Sequence, residues 1–212
     1  MKQKREKWIK WMPIIQCDIR GVLIAQRMHH ELLEIIDANA DLPKTSQLYD
    51  HFGHTYTSHV VMGLRRQLKA GNGQVSLAAM FGEMISTPQA VTRDYYRSLY
   101  KGSIVQGMAD LDFEQFAGPN AEHIDPTRAQ SDLDELKLVT AKCEDFADRR
   151  VAHMDKRESR SVPTYNELDS AIAALDRLYV KYHLLLFATS IPTLLPTRQY
   201  DWTPVLRIPW IK

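Results

Sequence analysis

The sequence predicts an all-α fold: a helical bundle of four long helices plus short helices, followed by an extended C-terminal tail containing proline and tryptophan. Two observations predict it. Apolar residues recur every three or four positions through most of the chain, the spacing that collects them on one helical face, while the two-residue alternation of strands is nearly absent. The punctuation agrees with that period, because capping residues and X-Pro pairs suited to a first helical turn stand just before the periodic stretches. With 212 residues, 44% of them hydrophobic, the chain can bury one core and reads as a single domain over 1–212. The bundle occupies 13–190, and the tail, 191–212, packs on it.

Taken in order, Pro13 suits the first turn of a long helix marked by Ile15, Ile19, Val22, Leu23, Leu32, Leu33 and Ile36, which ends near Asn39. Thr45 or Ser46 caps a second long helix with Leu48, Phe52, Tyr56, Val60, Leu64 and Leu68 on one stripe, stopped by Gly71-Asn72-Gly73. Ser76 opens a short helix through Met84, and Thr87-Pro88 opens another short piece leading to Tyr100. Residues 110–135 carry eight carboxylates against Arg128 alone and predict an exposed acidic connection, partly helical. Asp125-Pro126 starts the third long helix, with Leu133, Leu136, Val139, Cys143, Phe146 and Met154 inward, ending around Arg157. Thr164 followed by Glu167 forms a capping box for the fourth, through Leu168, Ile172, Leu175, Leu178, Tyr182 and Leu186. Beyond Ser190 the chain is extended or turned, with Trp202 and Trp210 packing on the helices.

Charge and composition narrow the function classes. Lys and Arg number 27 against 26 Asp and Glu, so any electrostatic recognition is local. Cys17 and Cys143 alone make no disulfide framework; they read as core thiols in a reducing, cytoplasmic setting. The best membrane candidate, the uncharged run 184–197, is shorter than a span needs and holds Pro192 and Pro196, so no membrane association is expected. No phosphate-cradling Gly-rich loop, nucleophile elbow or zinc spacing occurs, which argues against classical ATPases, serine hydrolases and zinc fingers, and no cofactor is expected. His51, His54 and His59 with Asp50 invite a metal reading, but their spacing does not bring all three imidazoles to one helical face, and no metal site is expected. Trp8 and Trp11, set among lysines, read as packing residues ahead of an interfacial anchor.

The segment that can carry chemistry is Arg149-Arg150-Val151-Ala152-His153-Met154-Asp155. On a helix Arg149 and His153 are four apart and share a face, so one ligand can meet a guanidinium and an imidazole together. Imidazole exchanges protons near neutral pH and guanidinium grips phosphate oxygens in a fork, the pair that cleavage of an RNA phosphodiester uses. His153 would be the acid/base, and Arg149 would stabilise negative charge. The alternative is a set of solvated charges at a helix end, with His153 structural. Arg65 and Arg66 likewise either offset the dipole at the end of the second helix or supply charge to the His153 region.

Four strings, Gly63-Leu64-Arg65-Arg66-Gln67-Leu68, Gln74-Val75-Ser76-Leu77, Val91-Thr92-Arg93 and Phe146-Ala147-Asp148-Arg149-Arg150-Val151-Ala152-His153-Met154-Asp155, together resemble the HEPN-like proteins of the AbiU (abortive infection U) type. The resemblance covers most of 13–190. It implies an α-helical HEPN-like domain, commonly a homodimer, in a superfamily rich in metal-independent ribonucleases of phage defence and toxin–antitoxin systems, with an antitoxin or defence protein as partner. Ala152-His153-Met154-Asp155 matches the place of the superfamily's catalytic histidine, while the arginine stands closer to it than in the usual motif. On this resemblance the candidate catalytic residues are His153 and Arg149, with Arg150, Arg65, Arg66 and Asp155 as RNA-binding residues. The other reading kept open is a non-catalytic dimerising scaffold that binds a protein or nucleotide.

Overall fold

The structure, a computed structural model, describes residues 1–71, 73–152 and 162–208. Among them every extended element is helical. The long helices are α1 (Lys2–Ala38), α2 (Gln47–Leu68), α6 (Pro126–Phe146) and α7 (Tyr165–Phe187), with α3 (Leu77–Ser86), α4 (Arg93–Leu99) and α5 (Ala109–Ala117) between α2 and α6. Helix α1 packs against α2 and α7, and α6 against α2, α3 and α7, so the four long helices enclose one core. Its fully buried centre includes Trp8, Met12, Ile15, Leu64, Phe81, Phe113 and Tyr179.

Local chemistry sets most of the helix starts. Ser46, Ser76, Thr92 and Asp125 each accept a backbone N–H of the first turn through the side chain, meeting donors that have no partner inside the helix. Thr164 and Glu167 bond reciprocally in the expected capping box, and Lys142 of α6 donates to Glu167 at 2.7 Å, tying that start to the neighbouring helix. Those bonds hold the Glu167 carboxyl down at about 2.

Four expectations are corrected. Pro13 lies inside α1 instead of opening it. The turns before it are held by tertiary contacts: Trp8 is fully buried and donates from Nε1 to Glu83 at 2.9 Å, and Arg5 donates to the Ala90 carbonyl at 2.8 Å. That packing outweighs the one hydrogen bond an exposed proline cannot donate. The acidic stretch after Asp110 is a packed helix: α5 buries Phe113 and Phe116, and Asp110 on its outer face receives Arg93 at 3.0 Å and Arg97 at 2.9 Å. In α2 the stripe is core only from Tyr56 onward, since Leu48 and Phe52 are exposed where no helix covers them. Cys143 is a core thiol, pushed up to about 11 by burial, whereas Cys17 faces outward on α1.

The tail packs back on the bundle. Asp176 of α7 accepts the Leu194 N–H at 2.7 Å, Arg27 of α1 donates to the Pro196 carbonyl at 2.8 Å, and Trp202 donates to Glu31 at 2.6 Å, beside Arg198 on the same carboxylate. Trp210 lies outside the described residues. No helix among the described residues is long and apolar enough to cross a membrane.

Candidate functional site

Helix α6 does not simply run on into the Arg149 segment. At Ala147–Val151 it widens into a π-helical turn, closed by the Ala152 N–H donating to the Ala147 carbonyl at 2.8 Å. Such turns cluster at functional sites because the extra residue re-aims the side chains around it. Ala147 is fully buried and anchors the turn, Val151 packs against the core, and of the residues between them Arg150 is the exposed one.

The arginines singled out from the sequence consequently divide among separate grooves. Arg149 and Arg65 share an open groove of about 820 Å³ between the end of α2 and the end of α6, with Lys69 and Lys137. Four cations there face three carboxylates, Glu144, Asp145 and Asp148. Most are paired: Arg65 with Asp148, Lys69 with Glu144 at 3.0 Å and Asp148 at 3.6 Å, and Arg149 with Asp145 at 2.7 Å. Partial burial pushes the Asp148 carboxyl up, but the bond from Arg65 and the charge of Lys69 outweigh it, and it stays ionised below its ordinary range.

Arg66 points elsewhere. It pairs with Asp18 of α1 at 2.5 Å, and Asp18 also accepts from Gln67 at 2.7 Å, whose other end receives the Leu77 N–H at the start of α3. This is a brace between three helices that runs from the half-exposed Arg66 to the buried Gln67, and it gives Arg66 a structural task. Arg150 is exposed and, among the described residues, forms no ion pair; it stands at a second cavity of about 960 Å³ with Tyr49, Phe146 and Tyr165. His153 and Asp155, the remaining predicted residues, lie outside the described residues. His51, His54 and His59 line one shallow groove on the outer face of α2, and no group of metal-ligating side chains occurs among the described residues.

One constellation escaped the sequence reading. His29 of α1 is buried and stacked on Tyr56 of α2 with ring centroids 4.0 Å apart, and Tyr165 of α7 packs against His29 at 4.9 Å and Tyr56 at 6.0 Å. Among the described residues neither the His29 Nδ1 nor the Tyr56 hydroxyl has a hydrogen-bond partner. The only hint in the sequence was His29 standing on the apolar face of a predicted helix; the stack joins three helices, which no local spacing encodes.

Comparison with known protein families, with curated proteins and with solved structures finds no match to this chain.

Proposed function

We propose that the protein is a HEPN-like, RNA-directed effector that acts without a metal, with RNA engaged at the groove of Arg149 and Arg65. The supporting observation is the π-helical turn, which sets Arg149 into an open groove with three further cations on the segment leading directly into His153. Phosphates entering there meet guanidinium forks, and the carboxylates hold those forks in place until a polyanion competes for them. In this reading Arg149 stabilises the charge that develops on the phosphate and His153 moves the proton. A homodimer completes the groove from both subunits, the setting is cytoplasmic, and the biological role is phage defence or toxin–antitoxin control with an antitoxin or defence partner.

The pairing of Arg65, Arg66 and Arg149 with Asp148, Asp18 and Asp145 favours a second reading, a non-catalytic dimerising scaffold in which these arginines only brace helices. One assay separates the two. Single-stranded RNA incubated with the purified protein in a chelator should be cut by the parent and left intact by His153→Ala and Arg149→Ala, with thermal unfolding of the His153 variant nearly unchanged. Intact RNA with the parent supports the scaffold, and equal cutting by parent and variants removes His153 and Arg149 from the chemistry.

A further inference from the structure

The cavity at Arg150 is built differently from the Arg149 groove. Its walls are largely apolar and aromatic, from Leu33, Tyr49, Phe146, Val162 and Tyr165, with a few polar groups at defined places. That composition, at about 960 Å³, is the usual one for sites that enclose a small organic molecule. The Tyr165 hydroxyl comes close to α2 because residue 53 is glycine: a Cβ there would stand 2.9 Å from it. The tyrosine thus belongs both to the cavity wall and to the ring cluster with His29 and Tyr56, which ties that wall to α1 and α2.

We propose that this cavity is a nucleotide site, in which a base stacks among Tyr49, Phe146 and Tyr165 while its phosphate pairs with Arg150. Flat aromatic walls accept any base through its π-face. Arg150, unpaired among the described residues, supplies a fork for phosphate oxygens, and Asp50 on the cavity wall accepts from ribose hydroxyls or base N–H groups. The same chemistry is presented by a free nucleotide and by a nucleotide within an RNA strand. The inference does not rest on cleavage at Arg149.

The test is calorimetric binding of the nucleoside 5′-monophosphates and of a short ribo-oligonucleotide to the full chain, with parent, Arg150→Ala and Tyr49→Ala. At least one monophosphate or the oligonucleotide should bind, and Arg150→Ala should weaken it on the order of tenfold, the usual scale for losing one charge-assisted contact. Tyr49→Ala should weaken binding on the order of tenfold, because it removes one stacking face, and should leave thermal stability little changed, because Tyr49 is half-buried near the start of α2. A purely structural tyrosine would move stability instead. Tighter binding of the oligonucleotide would assign the site to a strand, and tighter binding of a monophosphate to a free nucleotide. No binding of either, or binding indifferent to both substitutions, would overturn the proposal.

Discussion

At Asp148 a carboxylate holds Arg65 and Lys69 across the groove, so the cations that would meet phosphate are already engaged. Replacing it with asparagine keeps the shape and removes the competing charge. Asp148→Asn should therefore strengthen RNA binding, most visibly at low salt, where unscreened phosphate contacts dominate; unchanged or weaker binding in a salt titration would place RNA elsewhere. His29 couples folding to protons. Burial pushes this imidazole below its ordinary 6.5, the neighbouring His30 adds to the shift and Asp169 opposes it. The unfolded chain then takes up the proton more readily than the folded one, so stability is complete above pH 6.5 and is lost as pH falls from there through the folded value. Urea unfolding should show a lower midpoint below that pH than above it, and His29→Phe, which keeps the stack on Tyr56, should reduce the difference.

Among elements, the close approach of α1 and α2 fixes where Arg65 and Arg66 stand. Gly63 permits it, since an added Cβ would collide with a Val22 methyl, and Val22 is only 1% exposed and has nowhere to move. In an exposed helix Gly→Ala would gain about 1 kcal/mol of helix propensity. Here the overpacking cost of about 1–3 kcal/mol wins, so Gly63→Ala should lower the thermal midpoint; a rise would show that the two helices part easily. The helix starts were legible because a cap acts within four residues: Ser46, Ser76, Asp125 and the Thr164–Glu167 box all bond as their spacing implied. Pro13 and α5 were misread because tertiary contacts decide them. Trp8 reaches Glu83 across 75 positions, and the carboxylates of α5 mask the two phenylalanines on its inner face.

Over the whole molecule, the all-helical class followed from periodicity alone, whereas the division of the arginines among grooves did not. Helical spacing turns Arg150 partly away from the face of Arg149, but it could not say that one would stand at a charged groove and the other at an aromatic cavity. Arg65 and Arg66, adjacent in sequence, separate the same way, to Asp148 of the π-helical turn and to Asp18 of α1. Which arginine faces which carboxylate is settled by how helices cross, and a single sequence carries no direct record of that. In the proposed effector the Arg149 groove works on RNA with His153 as the proton carrier. Sequencing of RNA ends in cells expressing the parent chain and the His153→Ala chain tests this most directly. The expected result is a set of new RNA ends with the parent that vanishes in the variant, and identical end profiles for the two chains would contradict it.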